Sequence, residues 1–373
     1  MRKHLVITAA VAALIGGAIV VGVARAGDDD RSGDRRAAYE QTNLVSNRSD
    51  VRAKVVDPNV RNPWGLAAAP NGALWVAANG TSASTLYTLH NDVPSIVNLV
   101  VKLAVQDKPT QWAPTGIVWN PSPGDFKFQG DKKMDVNAVF IFASEDGRIV
   151  AWNPNANADR SIANTVVTTP NAVYKGLAFA TAEDGGNLIY ATNFHAGTVD
   201  VFDTNFKPVT KIRLVDRDIP SGYAPFGIAT IEHVLFVSFA KQDKDKKDDV
   251  AGPGFGFVDV FTPGGELVRR LVSRGPLNAP WGMVRAPLGF GKFGGALLVG
   301  NFGDGKINAF DNRGSFLGAL RDRKGQPIAI NGLWALMFDT FQGAGTEDLY
   351  FSAGINDEKD GLIGEIAVAS GRK

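Results

Sequence analysis

Cysteine is absent from this 373-residue chain. No disulfide can staple it and no thiolate can act as its nucleophile, so stability has to come from core and topology. Histidine is scarce, with four residues, one of them His4 near the start. An excess of either charge is missing as well: 39 Lys and Arg face 38 Asp and Glu. Without a basic excess the chain lacks the electrostatic footprint of a nucleic-acid binder. No G-x-S-x-G elbow and no H-E-x-x-H pair occurs, and "GNFGDGK" (300–306) has neither the spacing nor the following helix of a phosphate loop. No segment keeps a helical period over three turns, and none after Val23 is apolar enough to span a bilayer.

What is present begins with an export signature. Arg2 and Lys3 precede an uncharged run from Leu5 to Val23, and Ala24-Arg25-Ala26 supplies small residues at −3 and −1. That layout predicts a signal peptide over residues 1–26, cut after Ala26, and a periplasmic or extracellular protein. The alternative is an uncleaved anchor, since one span needs about twenty apolar residues. No cysteine follows the run, which excludes a lipoprotein anchor. Residues 27–41, "GDDDRSGDRRAAYEQ", read as a flexible charged tether. Residues 42–373 are expected to form one monomeric domain.

That domain repeats a phrase. "NPWGLA" (62–67) returns as "APTGIV" (113–118), "APFGIA" (224–229) and "APWGMV" (279–284), with weaker copies in "VYKGLAF" (173–179) and "INGLWAL" (330–336). Aligned on Gly65, Gly116, Gly176, Gly227, Gly282 and Gly332, the copies lie 51, 60, 51, 55 and 50 residues apart. Such a period signals a propeller or solenoid. Within each period the runs are short, β-branched and aromatic; in the first they are 73–80, 84–90 and 96–103 after the phrase. A third strand also recurs, as "GRIVAWN" (147–153), "GTVDVFD" (197–203), "GFVDVFT" (256–262) and "GKINAFD" (305–311). The pattern predicts an all-β, six-bladed propeller of four-stranded antiparallel blades. Glycine in the innermost strand admits close backbone approach near the axis, and the preceding proline sets the chain direction. The sixth unit stops one strand short, so "QTNLVSN" (41–47) is expected to complete it beside 361–369 and close the ring.

In an up-and-down blade the start of the first strand and the turn between the second and third share one end. The six strand starts there offer Trp64, Thr115, Lys175, Phe226, Trp281 and Asn331. The turns offer Asn79, Glu145 with Asp146, Asn193 with His195, Lys241, Asn301 with Asp304, and Asn356 with Asp357. Trp64, Asn79, Lys175, Phe226, Lys241, Trp281, Asn331 and Asn356 are the ligand-binding candidates. Glu145, Asn193, Asn301, Asp304 and Asp357 are candidate oxygen ligands for Ca²⁺ or another divalent cation. The turn asparagines have a structural reading too, since asparagine tolerates left-handed backbone and caps turns. His195 is the candidate proton carrier. The long turn 240–256 is a charged, solvated loop or a lid over the channel mouth. It is not an EF-hand, because Asp248 and Gly254 stand where that motif needs glycine and glutamate.

The blade phrases, together with "AKQDKDKKDDVAGPGFGFVDVF" and "DLYFSAGINDEKDGLIGEI", resemble a family of exported bacterial conserved hypothetical proteins over residues 42 to about 369. That resemblance carries over no catalytic residue. The "P-x-G-I-A" strand starts are more distantly similar to six-bladed NHL, gluconolactonase and strictosidine-synthase-like propellers. Some of those hold a divalent cation in the channel, which would imply Asn193, Asn301 and Glu145 as analogues. Two functions follow as expectations. One is a non-catalytic scaffold that presents a channel face to a small molecule, glycan or protein. The other is a metal-assisted hydrolase, lactonase or lyase at the channel mouth.

Overall fold

A computed structural model describes residues 38–90, 93–103, 113–338, 341–345 and 347–369. The expected signal peptide and residues 27–37 of the tether lie outside these residues. Among the described residues no helix is long and apolar enough to cross a membrane.

Six small antiparallel sheets form the blades of a propeller. The inner strands are Pro63–Ala68, Pro114–Trp119, Tyr174–Thr181, Tyr223–Ile231, Pro280–Arg285 and Leu333–Met337. Each packs on the next around the axis, and the sixth packs on the first. Seven apolar clusters follow from that arrangement. One lies between each pair of neighbouring blades and one on the axis. Second strands such as Leu74–Ala78 and Phe140–Ser144 are therefore buried on both faces. For that reason they read as unbroken apolar runs rather than alternating ones.

The repeated phrase is a bulge. In every blade two inner-strand residues oppose one residue of the second strand, as where the register slips between Pro63 and Leu66, Pro225 and Ile228, or Pro280 and Met283. The extra residue re-aims a side chain towards the axis, and the glycine beside it clears the neighbouring blade. A Cβ on Gly116 would lie 2.3 Å from Leu177 N, and one on Gly227 2.1 Å from Trp281 O. Hydroxyls brace the same contacts. Thr115 donates to Tyr174 O at 2.8 Å, Thr192 to Phe226 O at 2.7 Å, Ser238 to Pro280 O at 2.6 Å, and Ser352 to Trp64 O.

This register corrects the sixth copy. Leu333 pairs with Ala353 and Leu336 with Phe351, so Trp334 and Ala335 occupy the places of Trp64 and Gly65. Gly332 lies in the preceding turn at φ +67°, and Asn331 is exposed outside the strand. Two blades also depart from the four-strand expectation. The outer strand of the first is split into Val93–Ile96 and Val101–Lys102, which pair with different parts of Ala83–His90. The third blade has three strands, ending with Thr198–Phe202; beyond it Val209 N donates to Val201 O at 2.8 Å as the chain crosses to the next blade.

The ring closes as expected. Strand Tyr39–Ser46 runs antiparallel to Leu362–Val368, from Tyr39 opposite Val368 to Ser46 opposite Leu362. It begins at Tyr39, so the last three residues assigned to the tether belong to the propeller. Asn47 and Arg48 both bind Asp360, at 2.7 and 3.0 Å, and hold its carboxyl at about 2 with help from Asn356. Tyr39 is fully buried, and its hydroxyl donates to Phe290 O at 3.1 Å and accepts from Phe293 N at 3.2 Å. The clasp strand thus ties the fifth blade to the sixth. Tyr39→Phe removes both bonds and leaves Phe293 N and Phe290 O only the 3.3 Å bond between them, so it is expected to lower unfolding free energy by about 1–2 kcal/mol, read from urea denaturation. A change within error would show that these bonds carry no net stability.

Candidate functional site

The bulges bring six side chains to the axis: Trp64, Thr115, Lys175, Phe226, Trp281 and Trp334. Four of them are aromatic and close the channel. Trp64 stacks on Trp334 at 3.5 Å between ring centroids, and Trp281 meets both edge-on at 6.1 and 5.7 Å. Phe226 lies 6.0 Å from Trp334, and Phe302 stacks on it at 4.1 Å. The aromatic ligand candidates Trp64, Phe226 and Trp281 are therefore parts of a plug, 2 %, 0 % and 8 % exposed. The indole N–H of Trp281 donates to Lys175 O at 3.0 Å, whereas that of Trp64 has no partner.

Lys175 sits against this plug, 5.1 Å from the Trp64 ring, with its side chain 2 % exposed. Its ammonium bonds Glu145 at 2.5 Å and Asp248 at 3.1 Å. Desolvation opposes the charged form, but the two carboxylates outweigh it and hold the lysine above its ordinary value. From Glu145 a polar chain runs around the mouth. Asn79 donates to Glu145 at 3.1 Å, Asn62 to Asn79 at 3.3 Å and to Glu358 at 2.8 Å, and Trp334 to Asn62 at 3.1 Å. Asp248 and Asp249 come from the long turn of the fourth blade, which reaches across to the third blade's lysine. Residues 244–248 of the turn stay exposed, as a solvated loop would, while Asp248 reaches the mouth. Its far end is tied to the fifth blade where Gly252 N donates to Asn278 at 2.6 Å.

Two carboxylates thus bind a single buried ammonium, and Asp249 and Glu358 lie near enough to feel its charge. Burial pushes Asp249 up to about 7; Lys175 opposes the shift, while Glu358 and Asp248 add to it. Burial raises Glu358 too, with Asn62 pulling it down and Glu145 and Asp248 pushing it up.

The cation candidates do not converge. Asn193 caps its own turn by accepting from Ala196 N, and it also accepts from Val173 N and donates to Asp200. Asn301 donates to Pro276 O and to Asp304, and Asp304 in turn pairs with Lys306 at 3.1 Å. Asp357 is exposed, 3.8 Å from Lys359. Among the described residues no group of three or more His, Cys, Asp or Glu is placed to hold a metal ion. His195 is half-buried with no hydrogen bond at Nδ1. Lys241 covers the Phe255 ring at 4.3 Å, and Asn356 binds Asp360 at 2.8 Å. Of the candidates named from sequence, Lys175, Glu145 and Asn79 meet in one network. Asn62, Trp334, Asp248, Asp249 and Glu358 complete it. Asn62 stands at the head of the first phrase, and Glu358 lies within the distinctive "SAGINDEKDG".

No protein-family profile matches the chain. Viral proteins do, and two of them match nearly the whole chain. "Uncharacterized protein R648" of Acanthamoeba polyphaga mimivirus is 34 % identical over 345 residues, covering 90 % of this chain and 82 % of its own length. "Uncharacterized protein L690" of the same virus is also 34 % identical over 345 residues, covering 90 % and 87 %. The chain belongs to this mimiviral family. The bacterial origin implied by the sequence resemblance has no support among these relatives. Solved structures share the family's fold at low identity. The apo soluble aldose sugar dehydrogenase of Escherichia coli superposes with a TM-score of 0.52 at 12 % identity, covering 89 % of this chain and 100 % of that one. A streptogramin B lyase gives 0.50 at 12 %, covering 88 % and 97 %.

The raised carboxyl gives the mouth a pH signature. Between about 4, the ordinary aspartate value, and about 7, native Asp249 holds a proton that the unfolded chain has released. Stability is therefore expected to fall as pH rises through that window. Asp259, also raised to about 7 by burial, contributes in the same direction. Asp249→Asn should make the slope shallower without abolishing it, as measured by urea denaturation at a series of pH values. An unchanged slope would place Asp249 in water.

Proposed function

We propose that the chain is a binding module that captures a small cationic ligand, an amine or polyamine, at the lid side of its axial plug. The supporting observation is the charge imbalance at the mouth, where Glu145, Asp248, Asp249 and Glu358 share Lys175 as counter-charge. Two of these carboxyls keep protons to higher pH than carboxyls in water do. A ligand ammonium would replace those protons and make charge-assisted hydrogen bonds in a partly desolvated setting. Asp248, whose side chain is 73 % exposed, offers the approach from solvent. His195 lacks a hydrogen-bond partner at Nδ1 to orient it as a general base, which favours capture over turnover. The leader-like residues 1–26 favour an exported setting.

The test is a thermal-shift panel at pH 8 with spermidine, glucosamine, glucose, phosphate and calcium chloride. Spermidine and glucosamine are expected to raise Tm, as binding to the native state must. The shift should shrink from pH 8 to pH 6 as protons compete for Asp249. Glu358→Gln should weaken amine affinity about tenfold, which is ~1.4 kcal/mol and one charge-assisted hydrogen bond. Absence of any amine shift, or a pH-independent one, would overturn the reading. A rise with calcium alone would return the mouth to divalent-metal chemistry.

A further inference from the structure

The aromatic plug closes only one end of the channel. From the opposite end a cavity of about 390 Å³ runs up the axis, lined by all six inner strands and reaching Trp281 of the plug. None of its lining residues is charged. Its walls include Leu66, Val118, Leu177, Ile228, Met283 and Leu336, and the one polar lining side chain besides the indoles, Thr230, already donates its hydroxyl to Phe179 O at 2.6 Å. Each inner strand is the end strand of its sheet, so it has a ladder partner on one side and faces the axis with its other edge. The cavity therefore pairs apolar side chains with strand-edge backbone groups. Its size falls in the roughly 300–1,000 Å³ range of small-molecule sites. The axial position, enclosed by six blades, suits a compact molecule rather than a folded partner.

We propose that this funnel is a second ligand site, distinct from the charged mouth, which takes an uncharged, largely apolar small molecule bearing one or two hydrogen-bonding groups. An ion would lose its hydration among these walls and find no counter-charge, whereas an apolar body gains from leaving water. Backbone groups on the strand edges then select for a hydroxyl, carbonyl or amine N–H on that body. The two sites lie on opposite sides of Trp281, which floors the funnel and touches Lys175 through its indole N–H.

The experiment uses the neutral fluorophore N-phenyl-1-naphthylamine, titrated into the whole protein with excitation of tryptophan. Saturable one-to-one binding is expected, with emission sensitised by energy transfer from the plug. Ile228→Phe narrows the funnel and Val118→Glu puts a charge in its wall; both positions are half-buried, which leaves room for the change. Each should weaken binding at least tenfold, provided circular dichroism shows a wild-type fold. Leu288→Ser controls for surface adsorption, because Leu288 is 88 % exposed and away from the funnel, and it should bind as wild type does. Absence of saturable binding overturns the proposal. So does equal affinity in the folded Ile228→Phe and Val118→Glu variants, or loss of binding in Leu288→Ser. Spermidine binding at the mouth is read separately, so the failure of either site leaves the other standing.

Discussion

Sheets stacked face to face around an axis protect each other only if the ring has no ends. Everything else in this chain depends on that closure. Strand Tyr39–Ser46 lends its backbone to Leu362–Val368, and the apolar cluster between the fifth and sixth blades contains Tyr39 itself. With no cysteine available, the clasp does the work that a disulfide would do in joining the two ends of the chain. The side chains around it are chosen for the same purpose. Ser46 donates to Gly361 O at 2.7 Å and Asn47 accepts from Gly361 N at 2.7 Å, so side chains fasten the join at its Gly361 end.

Closure also explains the division of the channel. Six bulges at one level send six side chains inward, and four large aromatic rings at that level fill the axis. A lysine among them needs counter-charge, and the turns of the second, fourth and sixth blades supply it with Glu145, Asp248, Asp249 and Glu358. Below the plug the channel lining is largely apolar and carries no charge. One architectural device, the bulge, therefore yields a polar end and an apolar end of the same axis.

Much of this was legible in sequence because its causes are local. Glycine is demanded wherever a Cβ would strike the next blade, so Gly65, Gly116, Gly176, Gly227 and Gly282 mark five inner strands. In the sixth, Ala335 fills the equivalent place, and alignment on the nearby Gly332 shifts the register by three residues and hides Trp334 behind Asn331. The third-blade edge and the split outer strand of the first were not legible, since outer strands are half-exposed and their sequences are free to drift into loops. The site was legible in part. Lys175, Glu145 and Asn79 stand at blade ends, where geometry alone selects them. Asp249 and Glu358 reach the axis only because long turns fold back over it, and no short-range pattern encodes that path. The asparagines of the other turns were ambiguous by nature: Asn193 accepts from Ala196 N of its own turn and from Val173 N ahead of the inner strand, the structural alternative that its residue type always allowed.

The most direct test of closure is native-state hydrogen exchange of the amides in residues 39–46 and 362–368. If the ring is sealed by this pairing, both strands exchange only through global unfolding and share the slowest rates in the molecule. If residues 39–46 exchange by local opening while 362–368 stay protected, the clasp is an ornament and the ring holds without it.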